Sequence, residues 1–172
     1  MMKTKKTLDQ EGRQVRFNQY KFRKAGCLVF TFTDGKLWVL TVTSRKGVLS
    51  FPKGGVEEKD VVENSPWATL LNAGIRELKE ETGVVLDPSS YHLFDELILE
   101  INENNPTGKL WNIAYSVWFV KEKVPLCGEE GKGTVAWLPV TEVLSKLKLT
   151  GASSRQEALK TALVFFNHVN AF

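Results

Sequence analysis

Residues 65–83 read SPWATLLNAGIRELKEETG, the most regular pattern in the chain. Ser65 and Pro66 predict a helix start, because a serine hydroxyl caps the first turn and proline is tolerated at the first helical position. Gly83 stands where a left-handed C-terminal cap belongs. Between these signals, apolar or small residues recur three and four positions apart, which predicts one amphipathic helix. Its predicted buried side consists of Trp67, Leu70, Leu71, Gly74, Ile75 and Leu78.

Strand patterns lie on both sides of this helix. Residues 25–33 and 36–43 are rich in β-branched and aromatic residues, and Asp34-Gly35 between them predicts a two-residue hairpin. The remaining segments predict strands near 93–101, 110–120 and 135–138, and helices at 140–147 and 153–170. Residues 44–65 show no sustained period and predict a long loop. This order predicts a single-domain α/β fold with a mixed sheet sandwiched between helices.

Composition narrows the class of protein. The chain has 172 residues, 42% hydrophobic and 25% charged, which is typical of one globular domain. Two cysteines argue against a disulfide scaffold, and we find no apolar run of the roughly 18 residues that a membrane span needs. No secretory signal is visible, so we expect a cytoplasmic protein, with the nucleus as an alternative.

Positive charge is concentrated at the N-terminus. The first 24 residues carry eight Lys or Arg against two acidic residues, although the net charge of the whole chain is only +3. We predict that residues 1–20 form a partly disordered basic segment and that 21–172 form the domain. A solvated tail and a cationic flap over an anionic ligand both fit this charge.

Three glutamates near the helix end are the strongest chemical signal. Glu77, Glu80 and Glu81 lie at i, i+3 and i+4 and therefore project from one side of the helix. A solvated acidic face is one interpretation. The carboxylates, however, fall on the flank of the apolar stripe, with Arg76, Thr69 and Lys79 on the solvent side instead. Crowded carboxylates at such a margin favour a bound cation, and oxygen ligands suit Mg²⁺, with Mn²⁺ as an alternative.

A glycine pair precedes the helix, in the run Pro52-Lys53-Gly54-Gly55. Paired glycines let the backbone approach a ligand or metal closely and expose its carbonyls and N–H groups. A simple turn is the alternative. The run is not a Walker loop, since no Gly-Lys-Ser/Thr opens a helix.

Together these residues resemble the Nudix family. Residues 76–84 (RELKEETGV) match the second half of the Nudix box at every fixed position, and Gly54-Gly55 and Ala73-Gly74 match its glycine pair and its small pair. The resemblance implies a Nudix fold and metal-dependent hydrolysis of phosphoanhydride bonds. It implies Glu77, Glu81 and the Gly55 carbonyl as Mg²⁺ ligands, Glu80 as the catalytic base, and structural roles for Arg76 and Gly83. The sequence does not separate base from ligand, so the three glutamates could exchange roles.

One stretch departs from the family pattern. Gly55 and Arg76 lie 21 residues apart, about seven more than in the family, a length that loop closure tolerates. Ala68 stands where the family has a glutamate that braces the arginine. Either one of the acidic residues at 57, 58 and 63 supplies that carboxylate or none does. We expect the loop 56–65 to be mobile and not needed for the chemical step.

Within the family the chain resembles the diphosphoinositol polyphosphate phosphohydrolases, which also cleave diadenosine polyphosphates. The similarity covers about residues 20–144 and includes YKFRKAGC at 20–27, TSR at 43–45 and FPKGGVE at 51–57. It implies that basic residues before the first strand and a Ser-Arg pair after the second grip phosphates. The resulting substrate-binding candidates are Arg23, Lys24, Ser44 and Arg45, with Lys53 and Gly54 in the glycine loop and Lys109 and Lys132 in later loops.

Two other functions stay open. The first is a different Nudix substrate, such as a capped RNA end, a nucleoside diphosphate sugar or an oxidised nucleotide, since tryptophans at 38, 111 and 118 could stack on a base. The second is a non-catalytic phosphate-binding module, which the three intact glutamates disfavour. The expected partner is an anionic small molecule, either an inositol pyrophosphate or a dinucleoside polyphosphate, with no membrane and no stable nucleic-acid partner. The sequence leaves the oligomeric state open.

Overall fold

The computed structural model describes residues 22–87, 92–102, 112–129 and 132–167. The predicted basic segment 1–20 lies outside these ranges, as do Lys109 and Trp111. None of the helices within them is both long and apolar enough to cross a lipid bilayer.

The first two strands form the predicted hairpin. β1 (Lys24–Thr33) pairs antiparallel with β2 (Lys36–Thr43). Asp34 and Gly35 both have positive φ, 53° and 73°. Two consecutive left-handed residues suit the right-handed twist of a two-residue hairpin, and Asn, Asp and Gly adopt them at low cost. The Asp34-Gly35 prediction is therefore confirmed.

The later predicted strands and helices are confirmed in type and differ in their bounds, whereas the predicted loop is only partly confirmed. The predicted loop 44–65 contains two very short strands and a 3₁₀ turn, and the predicted strand 93–101 is broken into two. Strands this short carry no readable periodicity, so their pairing depends on the rest of the sheet. In chain order these elements are β3 (Leu49–Ser50), β4 (Lys53–Gly55), the 3₁₀ turn (Glu58–Asp60), α1 (Pro66–Thr82), β5 (His92–Leu93), β6 (Ile98–Glu100), β7 (Ile113–Phe119), β8 (Thr134–Pro139), α2 (Val140–Leu149) and α3 (Ser153–Asn167).

The strands of the described ranges form one mixed sheet. Its main path runs β3-β2-β1-β7-β5, with β4 paired to β1, β6 to β7 and β8 to β2. β1 and β7 are parallel and the other pairs are antiparallel. One edge of β1 pairs with β7. On its other edge, β2 pairs with the last residues of β1 and β4 pairs with the first three residues of β1. The glycine run in β4 therefore lies beside the start of β1.

Helices cover both faces of this sheet, as predicted. Alternate residues of β1 point to opposite faces, so Cys27 and Val29 pack with α1 while Leu28 and Phe30 pack with α2 and α3. α1 approaches β1 very closely at Gly74, where an added Cβ would lie 2.6 Å from the Gly26 carbonyl oxygen. This contact between two glycines sets the height of α1 over the sheet.

The ends of α1 match the prediction, but its outer side does not. The Ser65 side chain accepts a hydrogen bond from Ala68 N, and Gly83 caps the helix with φ of 76°. The placement of Thr69 and Arg76 on the solvent side is wrong, because Thr69 is 2% exposed and the Arg76 side chain 13%, whereas Lys79 is exposed as predicted. The neighbouring loop folds over this side of the helix.

The loop 56–65 is anchored at several points. Val56 is fully buried and Asp60 is 3% exposed. Thr69 Oγ1 accepts a hydrogen bond from Val62 N at 2.9 Å. Burial of Val56 and Asp60 argues against the predicted mobility at the start of this loop, and whether the loop is needed for the chemical step stays a prediction.

Candidate metal and phosphate site

The close approach of α1 to β1 sets the glutamates against the glycine run of β4. Gly54 has no room for a side chain, because the Glu77 carboxyl group occupies the space that a Cβ would take. One turn later, Glu81 Oε1 accepts a hydrogen bond from the backbone N of Lys53 at 2.7 Å. Two of the three predicted carboxylates therefore lie directly on the glycine loop.

Arg76 joins three parts of the chain around these carboxylates. Its Nη2 donates to the Gly55 carbonyl at 2.8 Å, and its Nε and Nη2 donate to the two carboxylate oxygens of Asp60, each at 2.9 Å. Its Nη1 lies 3.0 Å from Glu77 Oε1 and 3.1 Å from Glu80 Oε2. A two-pronged bond of this kind fixes the planar guanidinium group in orientation. Arg76 therefore ties the glycine loop and the 3₁₀ turn to α1.

Asp60 is the residue that sequence reasoning missed. We considered acidic residues at 57, 58 and 63 as the missing brace. Glu57 Oε2 is 3.7 Å from Arg76 Nε, but Asp60 makes the two-pronged bond. The signal was available, since the position of the family glutamate falls on Asp60 when the family spacing is counted forward from Gly54 instead of back from Arg76. The extra residues therefore lie between Asp60 and Arg76.

Together these groups form what we call the Arg76 cluster, and it is rich in negative charge. Burial acts to lower the pKa of Arg76, but the hydrogen bonds and charge of Asp60, with Glu77 and Glu80, raise it above the usual value, so the guanidinium stays charged. One cation is thus shared by several carboxylates. The cluster consists of Arg76, Glu57, Asp60, Glu77 and Glu80.

Burial also leaves the charges of Glu77 and Glu81 poorly compensated. It raises the pKa of Glu77 even though Arg76 acts to lower it. It raises the pKa of Glu81 to about 7, although the Lys53 N–H and ammonium group favour the ionised form. When burial disfavours the ionised form of a carboxylate, a nearby cation stabilises that form. Both positions are therefore suited to a metal ligand.

The donors at this place fit a hard divalent cation. The Glu77 and Glu81 carboxylates and the Gly55 carbonyl are all oxygen donors, which Mg²⁺ prefers. Within the described ranges, no three His, Cys, Asp or Glu side chains are already grouped around one point as a metal site. The reason lies in the hydrogen bonds, since Glu77 faces Arg76 while Glu81 faces Lys53 N. The Gly55 oxygen, which accepts from Arg76, keeps a second lone pair.

A second charged group lies on the other side of Gly54. Lys53 Nζ donates to Ser50 Oγ at 3.3 Å. Burial lowers the pKa of Lys53, and so do the charges of Arg155 and Lys24, while Glu100 and Glu81 act to raise it. We call this group the Lys53 cluster: Lys53 with the three charged residues Lys24, Arg155 and Glu100 that act on it.

Glu100 is the buried anion of this cluster and was not predicted. It is 2% exposed, accepts a hydrogen bond from Tyr115 OH at 2.9 Å and lies 3.7 Å from Arg155 Nε. Arg155 in turn donates from Nη1 to the Leu49 carbonyl at 2.9 Å. A glutamate within the apolar run LILEI could have indicated a buried polar site. Nothing in the sequence links it to Arg155, which stands 55 residues later in the chain.

The other predicted phosphate ligands are spread around these clusters. Lys24 stands opposite Gly55 in the β1–β4 pairing, with Arg23 just before it. Arg45 is exposed in the turn after β2, and the Ser44 hydroxyl of that turn accepts a hydrogen bond from Val48 N at 3.0 Å. Thus Ser44 shapes the turn.

Lys132 lies near one of the predicted metal ligands. Together with Glu81 and Glu129 it lines a narrow cleft over the paired residues Val42 and Val135 of β2 and β8. The structure therefore brings Lys132 to the metal side of the site, whereas Lys109 lies outside the described residues.

Comparison with known families gives one match. A family model described as NUDIX domain matches residues 21–161. A search of curated proteins found no match.

Comparison with solved structures gives the same fold. An Ap4A hydrolase of C. elegans in a binary complex has a TM-score of 0.65 at 16% identity, covering 86% of this chain and 99% of that one. The NUDIX domain of Shewanella oneidensis NrtR, complexed with ADP ribose, has a TM-score of 0.51 at 20% identity, with 80% and 88% covered. The dihydroneopterin triphosphate pyrophosphohydrolase of E. coli has a TM-score of 0.54 at 18% identity, with 81% and 95% covered.

Proposed function

The chain belongs to the Nudix family, and we propose that it is a magnesium-dependent hydrolase of dinucleoside polyphosphates or diphosphoinositol polyphosphates. Family membership makes it a Nudix hydrolase of substrates that contain pyrophosphate. The observation that supports the finer proposal is the pairing of opposite charges across Gly54. The Arg76 cluster and Glu81 provide negative charge for a metal, while the Lys53 cluster provides positive charge for phosphate.

We assign roles to the chain's own residues as follows. Glu77, Glu81 and the Gly55 carbonyl would hold the cation, which when bound neutralises phosphate charge and lowers the pKa of a water molecule. Glu80, whose side chain is 46% exposed, has access to solvent and is the candidate base. Arg76 and Asp60 hold the glycine loop at a fixed height against α1. Hydrolysis of a phosphoanhydride depends mainly on such positioning and on charge stabilisation.

Several observations support the proposed substrates. The similarity of residues 20–57 to diphosphoinositol polyphosphate phosphohydrolases includes Lys24 and Lys53, which contribute to one cluster of cations. The Ap4A hydrolase of C. elegans shares the fold across almost its whole length. A mononucleotide, a nucleoside diphosphate sugar such as ADP-ribose or a capped RNA end is the second candidate class, supported by the NrtR domain that binds ADP ribose. We expect an anionic small molecule as partner in each case.

We also propose a cytoplasmic location, with the nucleus as the alternative. Its support is that both cysteines are free, Cys27 buried and Cys127 exposed. A free exposed thiol is typical of a reducing compartment.

A substrate panel tests the proposal. It contains a diphosphoinositol polyphosphate, diadenosine tetraphosphate, capped RNA, ADP-ribose and 8-oxo-dGTP, each with magnesium, with manganese and with a chelator. We expect metal-dependent hydrolysis, with the highest kcat/KM on one of the first two compounds. A higher kcat/KM on another compound would move the assignment to that nucleotide class. No metal-dependent hydrolysis of any compound would favour a non-catalytic phosphate-binding module.

A further inference from the structure

We propose that the cleft between the turn after β2 and the junction of α2 with α3 binds a nucleoside of the substrate, remote from the scissile bond, with Arg155 contacting the adjoining phosphate. This inference rests on the proposed function and selects dinucleoside polyphosphates over inositol pyrophosphates. The cleft has a volume of about 480 Å³, within the roughly 300–1,000 Å³ of small-molecule sites. No residue that lines it, including Arg155, was among the predicted substrate ligands.

The lining of the cleft is mainly apolar. Val48 is 51% exposed on one wall and Leu149 is 86% exposed on the other. Leu49 and Ala152 lie deeper between them. Large aliphatic side chains left exposed on facing walls suit the flat face of a nucleoside base, whose burial would remove them from water.

The charges of the cleft favour a nucleotide over an inositol polyphosphate. Two of the nine lining residues are charged, Lys146 and Arg155, and both are cations. Lys146 already lies 3.6 Å from Glu142, with both side chains about half exposed. Two cations on one side of an apolar cleft match one or two phosphates beside a base. A ring that carries a phosphate on most of its carbons needs cations all round it, and these walls offer Val48 and Leu149 instead.

Arg155 connects this cleft to the candidate catalytic site. It lines the cleft and belongs to the Lys53 cluster, and its Nε is buried without a hydrogen-bond acceptor, 3.7 Å from the Glu100 carboxylate. Leu49, whose carbonyl accepts from Arg155, is four residues before Lys53, so their Cα atoms are at most about 14 Å apart. A chain of phosphates that left the metal site along Lys53 would therefore lie within reach of Arg155, which lines the cleft.

The test uses the two exposed aliphatic residues, because truncating Arg155 would leave Glu100 buried without its partner. The double variant Val48→Ser/Leu149→Ser removes apolar contact from both walls. Val164→Ser is the matched control, since Val164 on α3 is 49% exposed and lies outside the cleft. The readouts are KM and kcat on diadenosine tetraphosphate and on a diphosphoinositol polyphosphate, together with calorimetric binding of ADP without metal.

We expect the double variant to raise KM for diadenosine tetraphosphate about tenfold, with kcat within about twofold, and to weaken ADP binding similarly. The control variant should match wild type. An equal rise in KM for the inositol substrate, or a double variant that behaves like the control on both nucleotides, would overturn the inference while leaving the hydrolase proposal in place.

The ADP measurement separates this inference from the proposed function. If wild type hydrolyses no substrate but binds ADP, and the double variant loses that binding, the nucleoside cleft stands and the hydrolase proposal fails. If wild type does not bind ADP, or the double variant binds it as well as wild type does, the cleft assignment fails whatever the catalytic result.

Discussion

The Arg76 cluster and the Lys53 cluster lie on either side of Gly54 and have opposite charge imbalances. In the first, one guanidinium is shared by four carboxylates. In the second, the charges of Arg155 and Lys24 act on Lys53 together with the opposite charge of Glu100, and Glu81 accepts a hydrogen bond from the Lys53 backbone N. Burial makes the charged form costly in both clusters, since it raises the pKa of Glu77 in the first and lowers that of Lys53 in the second.

This difference indicates that each cluster lacks charges of one sign. The missing charges are those that a complex of metal and phosphate would bring. A divalent cation would offset the excess carboxylates, and phosphate would offset the excess cations. Charges of opposite sign stabilise each other only if they are close and share few competing partners. A metal bound to phosphate would bring both charges together at Gly54, where the absence of a side chain lets the Glu77 carboxyl group lie directly against the glycine loop. The predictions below test whether the two clusters behave as differently as their charges indicate.

The largest effect is expected at Glu81. Glu81→Gln should lower kcat/KM by about a hundredfold to a thousandfold, because a neutral amide is a poor ligand for a hard cation. Stability without metal should hold or rise slightly, since repulsion from Glu77 is removed. The measurements are kcat/KM with magnesium and thermal unfolding with a chelator. Glu129→Gln, a nearby exposed control, should stay within about twofold. Near wild-type turnover of Glu81→Gln would remove Glu81 from the metal site.

The next effect concerns the stability of the Arg76 cluster. Asp60→Ala should lower the free energy of unfolding by about 3 kcal/mol, because it breaks a buried ion pair and leaves a charged guanidinium with weaker partners. Urea unfolding of the metal-free protein measures it. Glu58→Ala in the same 3₁₀ turn is the control, and this exposed residue should change stability by no more than about 0.5 kcal/mol. Equal losses in the two variants would show that Asp60 does not brace Arg76.

The parts of the fold that local signals specify could be predicted from the sequence. The hairpin followed from Asp34-Gly35, and α1 followed from Ser65-Pro66, its apolar stripe and Gly83. Each of these depends on the backbone preferences of neighbouring residues. The strands β3, β4 and β5 have two or three residues each, and only pairing with β1, β2 and β7 defines them. No window of sequence contains that information.

The same limit applies to the candidate site. The three glutamates share one helix turn, so their grouping could be predicted from spacing alone. Asp60 contacts Arg76 at a separation of 16 residues, across the loop 61–65 and the first turns of α1, and Glu100 contacts Arg155 at a separation of 55. Contacts of that separation depend on how the elements pack. The positive half of the site was therefore predicted in part, through Lys24 and Lys53, and its buried centre was missed.

A smaller effect is expected where the positive side extends to the surface. Arg45→Ala should raise KM about tenfold and change kcat little, because an exposed arginine away from the scissile bond binds ground and transition states alike. Such contacts are screened over a Debye length of about 8 Å at physiological ionic strength, so KM should rise steeply with salt. The measurement is KM across a salt series for wild type, Arg45→Ala and the Arg23/Lys24 double alanine variant. Lys160→Ala on α3 is the exposed control.

A flat salt series with an unaffected double variant would contradict the polyphosphate assignment. It would indicate a nucleotide held mainly through its base, and the family assignment would be unchanged. If KM of wild type rises steeply with salt and KM of Arg45→Ala does not, the positive side of the site extends from the Lys53 cluster to the turn after β2.

The smallest effect is expected at Lys53, where the contrast with Asp60 is sharpest. Lys53→Met should change the free energy of unfolding by less than about 1 kcal/mol at pH 7, and in the stabilising direction. Burial and the charge of Arg155 disfavour the ammonium group more than Glu100 and Glu81 favour it. An unbranched apolar side chain of similar length removes that penalty and still fills the space. Each substitution removes one charge. We therefore expect Asp60→Ala to lower the free energy of unfolding and Lys53→Met to leave it nearly unchanged.

The pH dependence of this difference identifies its cause. Lys53 has a lower pKa in the folded protein than in the unfolded chain. As the pH falls from above 10.5, the unfolded chain therefore binds the proton before the folded protein does. Wild type therefore loses stability relative to Lys53→Met as the pH falls through this range, and the advantage of the variant should shrink when the pH is raised from 7 to 10. The measurement is the difference in unfolding free energy between the two proteins at both values. If Lys53→Met instead lost as much stability at pH 7 as Asp60→Ala does, Lys53 would be a well-compensated partner of Glu100. The excess of positive charge assigned to its cluster would then be absent, and with it the electrostatic argument for phosphate on that side of Gly54.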